Sequence, residues 1–226
     1  MMKQLTLDIG LPTGATLSNF FVGSNGAALT HLQHWAGQGA SRSFVPMYLW
    51  GDTASGKTHL LKALREALRE QGATVGWLDS TMLNPPDYQE GWSLVLLDDV
   101  QYFNAQQQHT AFKWFVNAQA HQCAVLSAGD VPPAALKLRE DLRTRLGWGH
   151  LFQLHVLTEL ECRAVLRREA DARGVVLGDE VMDFMLSRFS RDLGSLMQLL
   201  DHLDAYALQS KRAMTIPLIK AMFESE

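Results

Sequence analysis

The residues Gly51-Asp52-Thr53-Ala54-Ser55-Gly56-Lys57-Thr58 satisfy every fixed position of the pattern G-x-x-x-x-G-K-[ST]. The chemistry of that spacing is phosphate binding. Glycines let successive backbone N–H groups turn inward, a lysine reaches the β- and γ-phosphate oxygens, and the last hydroxyl ligates Mg²⁺. Gly51, Ser55, Gly56, Lys57 and Thr58 are therefore candidate residues for a purine nucleoside di- or triphosphate with Mg²⁺. A second acidic signature follows some 40 residues on. Leu94-Val95-Leu96-Leu97-Asp98-Asp99 places two carboxylates just past the end of an apolar run, at the edge where open α/β sheets bind ligands. Asp98 suits Mg²⁺, as Thr58 does, and Asp99 suits the polarisation of an attacking water.

A phosphate loop works only between a strand and a helix, and the surrounding pattern supplies both. Phe44 to Trp50 reads as a strand, and the apolar positions Leu60, Leu61, Leu64 and Leu68 set a helix from Lys57 to about Gln71, closed by Gly72. Further strands are expected at Thr74–Leu78, Trp92–Asp98, Ala124–Ala128 and about Leu151–His155. They alternate with helices at about Asn104–Gln122 and Ala134–Arg145. Such alternation implies a parallel sheet covered on both faces. Beyond His155 the β signal stops. Thr158-Glu159-Leu160-Glu161 has the form of a capping box opening a helix to about Arg173, and helices follow near Asp179–Phe189, Leu193–Lys211 and Ile216–Phe223. The expected organisation is a tail at 1–15, an αβα nucleotide-binding domain at 16–156 and a helical domain at 157–226.

Composition narrows the class. The 226 residues are 47% hydrophobic, enough for a substantial core, and the formal charge of −4 argues against general coating of nucleic acid. Cys123 and Cys162 form neither a disulfide framework nor a paired metal-ligand spacing, which suits a reducing cytoplasm. No apolar stretch approaches the roughly 18 residues of a membrane span, and the N-terminus lacks a signal-peptide layout. His31 and His34 stand at helical spacing without a third ligand, so no metal site is read there.

Three stretches carry a resemblance to the AAA+ family, and within it to the clade of the bacterial replication initiator DnaA: Gly51 to Leu61, Leu97-Asp98-Asp99-Val100-Gln101-Tyr102-Phe103, and Arg143-Thr144-Arg145-Leu146-Gly147-Trp148-Gly149. The resemblance runs from about Leu17 to Phe223 and implies an αβα body followed by a helical lid. It implies that the nucleotide is ADP or ATP, that His59 joins its site, that Phe20 and Val22 pack against the adenine base, that Asp130 is the first nucleotide sensor, and that Arg191 is the second, reaching back from the lid. It also implies that Arg145 is an arginine finger acting in trans on a neighbouring subunit. Two departures from the initiator stand out. No basic recognition helix is seen before Glu226, and the interval Asp79–Gly91 is too short for the helices that grip single-stranded DNA. A DnaA-like module without these parts resembles the regulatory inactivators of DnaA, in which ADP is implied to be the active form.

Gln4-Leu5-Thr6-Leu7-Asp8-Ile9 then resembles a peptide that binds the DNA polymerase III β sliding clamp, with Gln4, Leu5, Leu7 and Ile9 as the contacts. The implied partners are DnaA and the clamp, with DNA met only through the clamp and no membrane; two copies on a two-fold clamp would make a homodimer. Asp99 stands where many AAA+ ATPases carry the longer glutamate, so slow intrinsic ATP hydrolysis is expected. A helicase loader acting on single-stranded DNA and the replicative helicase is the alternative function, and a catalytically silent clamp-bound scaffold is a third.

Overall fold

In the computed structural model, residues 14–39, 42–188, 193–210 and 212–224 are described. The chain divides between Leu154 and His155 into two compact units. The first holds α1 (Gly26–Gly37), β1 (Met47–Trp50), α2 (Lys57–Glu70), β2 (Thr74–Leu78), β3 (Trp92–Leu97), α3 (Ala105–Ala120), β4 (Ala124–Gly129), α4 (Glu140–Leu146) and β5 (His150–Gln153). All strand pairings are parallel, and the order across the sheet is β2-β3-β4-β1-β5.

The alternation of side chains along the central strands splits the core into two layers. Met47, Leu49, Leu94, Leu96, Leu126 and Ala128 point to one face, where they meet Leu29, Leu32 and Trp35 of α1 and Leu60, Leu61, Leu64 and Leu68 of α2. Tyr48, Val95, Leu97 and Val125 point to the other, against Ala111, Trp114, Phe115 and Ala118 of α3 and Leu142 and Leu146 of α4. Helices cover both faces, which is why β3 is apolar at successive positions instead of alternating. The topology brings the C-terminal ends of β3, β4 and β1 side by side, so the segments after Leu97, Gly129 and Trp50 share one edge.

The helix expected at about Ala134–Arg145 is broken. A 3₁₀ turn at Pro133–Ala135 gives way to extended backbone at Leu136, and α4 begins only at Glu140. Two contacts explain the break. Leu136 is buried, and the Arg139 N–H donates to Gln108 Oε1 at 3.0 Å, where a helix would need a backbone carbonyl. The last strand also begins one residue earlier than expected and stops at Gln153.

Between β2 and β3 the chain forms neither helix nor strand. It is pinned by Gln107, a fully buried side chain of α3 whose Nε2 donates to the carbonyls of Asp79, Ser80 and Met82 at 3.2, 3.0 and 3.0 Å. Gln107 also completes the capping box with Asn104.

The second unit contains α5 (Glu159–Ala172), α6 (Asp179–Arg188), α7 (Leu193–Ser210) and α8 (Ile216–Glu224). These helices bury Leu166, Met182, Met185, Leu196, Leu200 and Ile219 in a core of their own. The Thr158 capping box forms as its S/T-x-x-E spacing predicts. No helix among the described residues is long and apolar enough to cross a membrane.

Candidate functional site

The turn after β1 is built by backbone conformation. Gly51, Ala54 and Gly56 have φ of 154°, 68° and 94°, so the chain doubles back on itself before α2. Gly51 also has no room for a side chain, since a Cβ would lie 2.1 Å from the Leu154 carbonyl oxygen. Gly56 is the N-cap of α2 and offers no side chain to its first-turn N–H groups, which leaves them available to an anion at the positive end of a 14-residue helix. The Ser55 hydroxyl is buried without a hydrogen-bond partner. Lys57 is buried, and its Nζ donates to the carbonyls of Gly51 and Asp52 at 2.7 and 2.9 Å, holding the loop around its own ammonium. An orphaned hydroxyl, uncapped helix donors and a central ammonium fit a polyphosphate.

Four carboxylates surround that ammonium. Burial pulls the Lys57 pKa down from its ordinary value, and Asp99, Asp98, Asp130 and Asp52 oppose the shift. Asp98 is buried, and desolvation raises its pKa even though the Thr58 hydroxyl bonds to it and the Asp99 N–H donates to its Oδ1 at 3.1 Å. Thr58 and Asp98 are thus neighbours, as a shared cation requires. Asp99 adopts left-handed backbone at φ 51°, and Gln101 Nε2 donates to its Oδ1 at 3.1 Å. Asp130 follows β4 and has a buried Oδ1 with no partner. A hydrogen bond from the Gly51 N–H to the Gly129 carbonyl, 3.3 Å long, ties the phosphate loop to the end of β4.

On the other side of the loop, Phe20 lies against Gly56: a Cβ there would come within 2.6 Å of Phe20 Cε2. The Phe20 and His59 rings are 5.7 Å apart, and His59 Nε2 bonds the Thr16 carbonyl at 3.1 Å. Burial lowers the His59 pKa below the ordinary histidine value, against the opposing hydrogen bond to Thr16. Val22 remains 39% exposed and accepts the Asn25 N–H at 2.7 Å through its carbonyl.

Arg145 stands among different side chains, in the last turn of α4. Its Nη1 donates to Gln119 Oε1 at 2.6 Å, and its guanidinium lies over the rings of Phe112 and Trp148 at 5.2 and 5.1 Å. Gln107, Gln119 and Phe112 carry no sequence signal of their function, apart from the Asn104-x-x-Gln107 spacing of a capping box, and Gln101 stands out only as part of the Leu97–Phe103 stretch. Arg191, Gln4, Leu5, Leu7 and Ile9 lie outside the described residues.

The sequence matches two family models, Hda lid domain over residues 159–223 and bacterial DnaA ATPase domain over residues 11–81. An uncharacterised protein of Haemophilus influenzae is 35% identical, over 97% of this chain and 98% of its own. The chain belongs to the Hda/DnaA-related AAA+ family. Among solved structures, domain III of the Thermotoga maritima replication initiation protein DnaA superposes with a TM-score of 0.76 at 20% identity, covering 96% of this chain and 98% of that one. The replication initiator DnaA bound to AMPPCP and single-stranded DNA gives 0.69 at 21% identity and covers 84% of this chain. This chain spans 64% of that initiator's length, so at these identities the likeness is one of fold.

Proposed function

We propose that this protein is a nucleotide-bound regulator of replication initiation that stimulates ATP hydrolysis by DnaA and so prevents re-initiation. The observation that carries the reading is a combination within one chain. A DnaA-like body and an Hda-type lid sequence accompany an arginine at the end of α4 whose guanidinium is already oriented by two rings and an amide. Arg145 acts in trans, placing its positive charge on the phosphoryl group bound by DnaA, a contribution worth ~10³ to 10⁵ in rate in phosphoryl-transfer systems.

The chain's own loop holds ADP or ATP. Ser55, Gly56, Lys57, Thr58 and His59 form the phosphate side, Phe20 and Val22 line the base side, Thr58 and Asp98 hold Mg²⁺, and Asp130 and Arg191 sense the phosphates. Bound Mg²⁺-nucleotide supplies charge and shape to the docking face, with ADP the active form. Asp99 is shorter than the usual glutamate and already engaged by Gln101, so intrinsic hydrolysis is slow. Gln4, Leu5, Leu7 and Ile9 tether the protein in the cytoplasm to the β sliding clamp, which brings it to DNA without direct contact. A two-fold clamp accommodates two copies. The connection between β2 and β3, locked down by Gln107, has no helical pair with which to grip single-stranded DNA, and this favours inactivation of DnaA over helicase loading.

The test is single-turnover hydrolysis of labelled ATP on DnaA, with clamp loaded on DNA, with and without this protein. The expected result is stimulation that is lost in Arg145→Ala and in Gln4→Ala. Folded, ADP-loaded protein that gives no stimulation would overturn the proposal, and binding to the replicative helicase would replace it with the loader reading.

A further inference from the structure

Arg145 has three partners, and two of them, Phe112 and Gln119, lie outside the motif that contains it. Phe112 and Gln119 are seven residues apart on α3, two turns along one helix face, so ring and amide stand in line beneath the end of α4. The ring takes the guanidinium at 5.2 Å and Gln119 Oε1 accepts from Nη1 at 2.6 Å, while Trp148, just beyond α4, covers it at 5.1 Å. The Phe112 ring is itself braced. Arg139 lies over it at 5.0 Å, with Nε and Nη2 each donating to Asp141 at 2.7 Å. Among the described residues, one of the five guanidinium N–H donors has a hydrogen-bond acceptor, and the side chain is partly exposed, so donors remain for an incoming anion.

A free arginine samples many rotamers, and a finger must reach a phosphoryl oxygen in one of them. We propose that Gln119 is a positioning residue that, with Phe112 and Trp148, presets the Arg145 guanidinium before the partner arrives. The inference rests on the proposed action of Arg145 in trans. It adds that the ordering of this side chain is completed in the free protein by α3, so the approach to the transition state does not have to supply it.

Gln119 is exposed, and its substitution leaves the fold intact. Gln119→Met keeps the length and removes the acceptor, whereas Gln119→Glu keeps an acceptor oxygen. In the DnaA hydrolysis assay, titrated with this protein, Gln119→Met is expected to lower the saturated rate about tenfold while the half-saturating concentration stays within about twofold, and Gln119→Glu to restore most of the rate. A partner-free readout keeps the two ideas separate. In the protein alone, ¹⁵N relaxation of the Arg145 Nε–H group is expected to report a restrained side chain in the wild type and in Gln119→Glu, and a mobile one in Gln119→Met. If the wild type fails to stimulate DnaA, or Arg145→Ala still stimulates, the proposed function fails, while the relaxation result still decides the presetting. If stimulation depends on Arg145 but Gln119→Met matches the wild type, changes only half-saturation, or raises the rate, the presetting is wrong; a raised rate would mean that Gln119 parks the arginine.

Discussion

Gly129→Ala is the most informative single perturbation of the site, because space alone forbids the methyl group. Gly129 ends β4 and is not among the residues with positive φ. A Cβ there would nevertheless lie 2.1 Å from Tyr48 Oη and 3.2 Å from both Tyr48 Cζ and Val100 Cγ2. Ordinary contact begins at 3.4 Å, so the hydroxyl must retreat by more than an ångström. Tyr48 is fully buried and its hydroxyl donates to the Val131 carbonyl at 2.8 Å, so it cannot retreat without breaking that bond. Overpacking of this kind costs about 1–3 kcal/mol, and a buried hydrogen bond broken on one side costs a further ~1–3 kcal/mol. The expected loss for Gly129→Ala is thus about 2–6 kcal/mol. Tyr48→Phe alone forfeits the hydrogen bond, about 1–2 kcal/mol. In the double variant the new methyl occupies space vacated by the hydroxyl, and only the 3.2 Å contacts remain tight. Its total loss should be about 2–3 kcal/mol, which for a Gly129→Ala loss in the middle of its range corresponds to a favourable coupling of about 2 kcal/mol or more.

Urea titration followed by tryptophan fluorescence suits the measurement. All six tryptophans, Trp35, Trp50, Trp77, Trp92, Trp114 and Trp148, lie in the first unit, so the signal reports that unit alone. Because the Gly129 carbonyl accepts the Gly51 N–H and Asp130 is the next residue, the single variant should also weaken ADP binding, and the double variant should recover it. Additivity of the two substitutions within about 0.5 kcal/mol, or a cost below about 1 kcal/mol for Gly129→Ala, would refute the reasoning.

Thr158→Ala removes the hydroxyl that accepts the Glu161 N–H and donates to its carboxylate, at a cost of about 1 kcal/mol; hydrogen exchange of the α5 amides should quicken about fivefold while the tryptophan transition stays in place. Stability should also fall as the pH drops below about 6.5, since burial lowers the pKa values of His31 and His59 while the unfolded chain takes up protons at the ordinary histidine value. Those rings contribute fully above that pH. His59→Gln, which can still donate to the Thr16 carbonyl, should flatten the dependence below about pH 6.5, and an unchanged slope would contradict the assignment.

The sequence made the phosphate loop and the paired aspartates legible because their chemistry is local: a turn of fixed length, a lysine and hydroxyl at its end, a carboxylate one step past a strand. The sheet was legible for the same reason, since buried parallel strands are apolar at consecutive positions. What could not be read depends on contacts between distant segments. Arg139 leaves the helical conformation because Gln108, 31 residues earlier, claims its N–H. Tyr48 and Gly129 are unremarkable in sequence, yet they form one joint in which the aromatic hydroxyl fills the missing side chain of the glycine.

The same distinction explains why the two ends of the proposed function differ in how they are built. The nucleotide side is made largely of backbone, with three positive-φ residues, an uncapped helix start and the joint at Gly129, so few of its side chains could vary without altering the loop itself. The Arg145 side is made of side chains alone. Phe112, Gln119 and Trp148 converge on one guanidinium from one helix and a turn, and each can be replaced without disturbing the sheet. The proposed function, in which the protein's own nucleotide sets its shape and its arginine acts on a partner, would need this separation. Loop substitutions should then alter ADP affinity and leave the Arg145 side chain restrained, whereas substitutions on the exposed face of α3 should do the reverse.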